Sequence, residues 1–158
     1  FNEQGCQELK PASGRGAVLH FLNALVKPPI KKPQPLSLHQ VLKRLAQHAR
    51  PGSLLYLISD FRGLNNSVER QLSLLAKHCE LQLVHVYDPL ECELPKKGQY
   101  RFTNGERETV VDTAERQRVL AYQQLFQQRQ EELRTMCHKW RMTLVECRTT
   151  DDPFEVLR

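Results

Sequence analysis

Three apolar runs of strand length, at residues 53–60, 81–87 and 142–147, are separated by longer stretches of helical periodicity. In the first run Leu54, Leu55, Tyr56, Leu57 and Ile58 are apolar without alternation. A strand with one wet face alternates polar and apolar side chains, whereas an unbroken apolar run needs cover on both faces. The pattern therefore predicts a mostly parallel sheet flanked by helices, assembled from β-α-β units with right-handed crossovers.

The intervening periodicities supply the helices. Residues 14–26 set Val18, Leu19, Leu22, Leu25 and Val26 at helical spacing, with Ser13 positioned to cap them. Pro28, Pro29, Pro33 and Pro35 follow, which excludes a helix or an inner strand and marks residues 27–35 as a surface connector. Ser37 caps a second helix with Leu38, Val41, Leu42, Leu45 and Ala49 on one face, stopped by Pro51 and Gly52. A third helix is expected over 67–78, with Leu72, Leu75 and Ala76 inward. The longest pattern, 113–140, carries a stripe of Val119, Tyr122, Phe126, Leu133, Cys137 and Trp140. Before it, 100–103 and 108–111 flank Asn104-Gly105, which suits a positive-φ turn, and predict an inserted β-hairpin near 99–112 apart from the main sheet. Residues 152–157 add a last turn or two of helix.

With 158 residues, 40% hydrophobic and 26% charged, the chain is expected to form one domain over 1–158 with a single core. No apolar run approaches the roughly 20 residues of a spanning helix, so no membrane span is expected. Cys6, Cys79, Cys92, Cys137 and Cys147 show no Cys-x-x-Cys spacing and read as structural thiols of a reducing compartment, which predicts a cytoplasmic location. The net charge of +5 is scattered, permitting an anionic partner without requiring one. The first residue is Phe1 and no basic-then-apolar leader follows, so the chain reads as a portion cut from something longer.

In open parallel sheets ligands bind beyond the carboxyl ends of the strands, where loops and helix N-termini converge. All three apolar runs end in acid: Asp60, Asp88, and Asp151 with Asp152. Carboxylates gathered at one edge are hard oxygen ligands of the kind magnesium, manganese or calcium take. Capping the helix that follows is the competing role for each of them. The six histidines lack metal spacing, and Gly14-Arg15-Gly16 follows no buried strand and lacks the lysine of a phosphate loop. Lys27, Lys31, Lys32, Lys43, Arg44 and Arg50 could form a basic patch, but without interleaved aromatics a solvated face is the better reading and no nucleic-acid partner is expected.

Several stretches read together: residues 52–61 ending Ile58-Ser59-Asp60-Phe61, then Val86-Tyr87-Asp88-Pro89-Leu90-Glu91 with Leu94-Pro95 close behind, and Thr149-Thr150-Asp151. This order resembles the family catalogued as domain of unknown function 58, with Asp88, Pro89 and Glu91 as its hallmark loop. The resemblance implies a von Willebrand factor A-like, Rossmann-like fold in a bacterial protein commonly encoded beside the MoxR class of AAA+ ATPases. In that fold a metal-ion-dependent adhesion site begins with an Asp-x-Ser-x-Ser motif after the first strand. This chain lacks the motif and is expected to begin near the end of the second strand, with an edge strand over 2–9. The resemblance places Asp60 at the acid after the fourth strand, and Ser37 could stand for the site's missing threonine only with a shift in register, since Leu36 occupies that place. The metal site, Asp60 with Ser37, would then be incomplete: Mg2+ or Mn2+ is expected only in a full-length protein and none in this chain.

Two functions follow as expectations. The first is a non-enzymatic protein-protein interaction module, an adaptor or partner of a MoxR-type ATPase in assembly or maturation of protein complexes, since no nucleophile, base and orienter set is visible. The alternative is a magnesium-dependent phosphoryl-transfer enzyme, nuclease- or receiver-like, using Asp60, Asp88 and Asp151. If strands are missing beside residues 54–60, the exposed apolar sheet edge is also expected to pair between copies.

Overall fold

The computed structural model of the chain describes residues 6, 8–10, 12–26, 36–95, 98–103 and 108–158. It divides into two compact units, the first formed by Phe1–Ala49 with Gly63–Leu74 and the second by Arg50–Arg62 with Leu75–Arg158. In chain order the elements are α1 (Arg15–Val26), α2 (Leu38–His48), β1 (Leu54–Ser59), α3 (Asn66–Ala76), β2 (Glu80–Tyr87), α4 (Pro89–Cys92), β3 (Gln99–Thr103), β4 (Glu108–Asp112), α5 (Arg116–Trp140), β5 (Thr143–Arg148) and α6 (Pro153–Val156).

The first unit is helical. Gly14, at φ 86°, turns the chain into α1, and its carbonyl accepts from the amides of Ala17 and Val18. The apolar stripe of α1 is exposed: Val18, Leu19, Leu22, Leu25 and Val26 all stand in solvent, and no α1 residue is buried. Periodicity specifies an amphipathic face but not the surface that covers it. Ser37 opens α2 as expected, through a reciprocal pair in which Gln40 N donates to Ser37 Oγ at 3.3 Å and Ser37 N donates to Gln40 Oε1 at 2.9 Å. Asn65 stands before α3, its Oδ1 accepting from the amides of Ser67 and Val68. Leu42, Val68 and Leu72 are the large, fully buried side chains among this unit's described residues.

The second unit holds a three-stranded parallel sheet in the order β1-β2-β5. The mixed α/β class, the parallel pairing and the flanking helices agree with the sequence pattern. Leu57, Leu83 and Leu144 lie in register across the sheet, as do Ser59, His85 and Glu146. The middle strand buries Leu81, Leu83, Val84, His85 and Tyr87. From α5, Phe126, Leu133, Met136 and Cys137 are buried. That helix stops where Arg141 turns left-handed at φ 54° and donates its amide to the last carbonyls, a one-residue reversal into β5.

One expectation is corrected in β1. Its unbroken apolar run predicts burial on both faces, yet its residues alternate between exposed and half-buried and none is fully buried. The exposed residues Leu54, Tyr56 and Ile58 are two apart and so share one face of the strand, the face that lacks full cover, and among the described residues β1 pairs with β2 alone. The edge strand expected over 2–9 falls largely outside the described residues, and the described ones there, 6, 8 and 9, carry no strand. The hairpin forms a separate two-stranded antiparallel sheet with Tyr100 opposite Val111, while its Asn104-Gly105 turn lies outside the described residues, as does the 27–35 connector.

Candidate functional site at the carboxyl edge of the sheet

The three strands of the second unit deliver their last residues to one edge, and each exit is stabilised by its own acid. After β1, the amide of Arg62 donates to Asp60 Oδ1 at 3.1 Å and the amide of Phe61 to Ser59 Oγ at 3.1 Å. Phe61 sits at φ 49°, a left-handed conformation that a bulky side chain adopts only under strain of order 1–3 kcal/mol. The turn buries its ring, which is 6% exposed, and leaves Arg62 outward.

After β2, Asp88 caps the single turn of α4. Its Oδ1 accepts from Leu90 N at 2.8 Å, Pro89 occupies the first turn where no amide is needed, and Glu91 Oε1 accepts in return from Asp88 N at 3.3 Å. The other oxygen of Glu91 takes the guanidinium of Arg62, with Nη2 2.6 Å from Oε2. Arg62 Nε also lies 3.4 Å from Asp60 Oδ2. Hydrogen bonding to Glu91 raises the Arg62 pKa above its ordinary value, with the charges of Glu91 and Asp60 acting in the same sense. The Asp-Pro-x-Glu loop is thus a capping box whose closing glutamate also ties the β2 exit to the β1 exit.

The β5 exit is fastened to the same loop. Thr149 Oγ1 donates to Asp88 Oδ2 at 3.1 Å, and Thr149 N to the Tyr87 carbonyl at 3.0 Å. Asp151 Oδ2 accepts from Arg148 N at 2.8 Å, and Asp152 Oδ1 caps α6 through Phe154 N at 2.9 Å. From above, Tyr122 of α5 donates its hydroxyl to the Leu90 carbonyl at 3.3 Å, and burial together with the Glu91 charge raises its pKa. Arg134 of α5 grips Glu146 of β5 with Nε and Nη2, each at 3.0 Å. The two four-residue helices present Leu90 and Phe154 in the open, with Leu157 exposed just past the second, Phe154 being 85% exposed.

The strand-end acids Asp60, Asp88 and Asp151 therefore all lie in the second unit, each bonded to its own loop. Ser37 lies in the first unit, where its hydroxyl caps α2. Among the described residues no group of three His, Cys, Asp or Glu side chains is placed to hold a metal ion. Both carboxylate oxygens of Asp60 face Arg62, Oδ2 its guanidinium at 3.4 Å and Oδ1 its amide at 3.1 Å. Of the basic patch, Lys43 and Arg44 fall on α2, where Arg44 lies 3.9 Å from Glu8, and Lys27, Lys31 and Lys32 lie outside the described residues. Arg62, Thr149 and Tyr122 were not read from sequence as partners of the acids. The capping-box spacing of Asp88 and Glu91 was the one available signal.

A parallel α/β sheet whose carboxyl edge is closed by acid-capped loops defines the class of domain. Within it, the chain belongs to the family described as Protein of unknown function DUF58, whose model matches residues 1–132. The match includes Asp60 and the Asp88–Glu91 loop and ends within α5, ahead of Thr149 and Asp151. No curated protein and no solved structure matches the chain.

Proposed function

We propose that this chain is a non-catalytic interaction module of von Willebrand factor A-like type, and that the carboxyl edge of its sheet is the surface that docks another protein. The observation that supports this is the exposure of Leu90 and Phe154 on short helices whose backbones are pinned by Asp88 and Asp152. Apolar side chains held out on a preorganised frame lose little entropy on binding, and apolar anchors rimmed by charge characterise docking surfaces. Arg62, Glu91, Arg148 and Asp151 supply the charged rim. The family resemblance suggests the partner, a MoxR-type AAA+ ATPase, with the pair acting in assembly or maturation of other protein complexes. Docking in this reading needs no metal, with Asp60 and Glu91 sharing the Arg62 guanidinium.

The test is the affinity of the chain for a purified MoxR-type ATPase, measured by biolayer interferometry with and without Leu90→Glu and Phe154→Ala. Both side chains are exposed, so the variants should keep the fold, and the pair is expected to weaken binding by about tenfold or more, the loss of one strong anchor. Unchanged binding in the folded double variant would remove this edge as the docking site. Magnesium-dependent phosphodiester or phosphomonoester hydrolysis that disappears in Asp88→Ala would replace the reading with an enzymatic one.

A further inference from the structure

Beneath the carboxyl edge lies a titratable group that the docking surface does not use. His85, in the middle strand, is 6% exposed, and its Nδ1 is buried without a hydrogen-bond partner. Three rings surround it: Phe61 with centroids 6.2 Å away, Tyr87 at 5.1 Å and Phe126 at 6.4 Å. These come from the β1 exit, from β2 itself and from α5, so the imidazole packs as an aromatic member of the core. The charged groups that act on it are Glu146 opposite on β5, Glu91 of α4, Asp60 after β1, and Arg129 of α5. Two of those acids hold arginines elsewhere, Glu91 binding Arg62 and Glu146 binding Arg134.

We propose that His85 is an acid-sensitive latch for the carboxyl edge: neutral, it is a packing ring; protonated, it competes for Glu91 and Glu146 and loosens the ties of α4 and α5 to the sheet. A buried imidazolium with an unpartnered N–H must either recruit a carboxylate or reach water. The two carboxylates that act on it most strongly, Glu146 and Glu91, are those that bind Arg134 and Arg62. The latch acts on the frame and stands whether or not the edge docks a partner.

The direction with pH follows from the environment. Burial lowers the His85 pKa from its ordinary 6.5, Arg129 acts in the same sense, and Glu146, Glu91 and Asp60 oppose it. The folded state then binds fewer protons than the unfolded state below the ordinary value, so this contribution to stability is full above it and declines as pH falls from 6.5 towards the lower folded value. Acid opens the latch and neutral pH closes it.

The experiment is an NMR titration of the histidine Cε1–H resonances in the whole chain, with protection factors of the Leu90 and Arg62 amides followed alongside. His85 is expected to titrate below 6.5, and amide protection at the edge to fall severalfold over the same range. In His85→Phe, which keeps a ring in the cluster and cannot titrate, that step in protection should vanish, whereas in His138→Phe, exposed on α5, it should remain. A His85 midpoint at or above 6.5, or a protection step that persists in His85→Phe, overturns the proposal. Should His85→Phe fail to fold, the wild-type titration and protection profile still decide it.

Discussion

Glu91 does two things with one carboxylate: Oε1 closes the cap on Asp88 and Oε2 holds Arg62. The two contributions differ in size. The Arg62 side chain is 59% exposed, and pairs of that kind are worth about 0.2–1 kcal/mol, whereas losing a helix cap costs about 0.5–2 kcal/mol. Glu91→Gln keeps a cap acceptor and should destabilise by only a few tenths to about 1 kcal/mol. Asp88→Ala removes both the cap and the Thr149 bond and should cost about 1–3 kcal/mol. Urea unfolding of the two variants checks the order, and a Glu91→Gln loss as large as that of Asp88→Ala would mean the ion pair outweighs the cap. The cap was readable in sequence, because Asp-Pro-x-Glu has the spacing of a capping box. Arg62 was not, because its partner stands 29 residues away and only the parallel pairing of β1 with β2 brings the two exits together.

Helices and strands were legible from period alone: α2, α3, α5 and all three parallel strands fall close to where apolar spacing put them. Burial was less legible, since it depends on neighbours that spacing does not name. The contrast between β1 and β2 shows this, for both are apolar runs, yet β2 buries side chains on both faces while β1 leaves Leu54, Tyr56 and Ile58 exposed on one. An uncharged edge strand lacking proline is a template for further pairing, because nothing on it repels a second strand. The chain should therefore self-associate as concentration rises. Tyr56→Lys, at a position 54% exposed on that strand, should shift sedimentation-velocity profiles toward the monomer. Monomeric behaviour of the unmodified chain at high concentration would show that this edge is already covered.

In the second unit the three strand exits are laced together: Asp60 and Asp151 bond within their own loops, and Asp88 bonds both its own loop and Thr149 of the β5 exit. A ligand that binds only the folded state stabilises it by mass action, so a resident magnesium site would register as a rise in Tm. None is expected when millimolar magnesium or manganese is added, by calorimetry, to the chain or to Asp60→Ala. A rise in Tm confined to the unsubstituted chain would restore Asp60 as a metal ligand. The central claim, that the carboxyl edge docks a protein through Leu90 and Phe154, is tested most directly by the affinity of the chain for a MoxR-type ATPase in the presence of chelator. Retained binding that falls about tenfold or more in Leu90→Glu with Phe154→Ala is the predicted result. Equal binding by the folded double variant and the unsubstituted chain would contradict it.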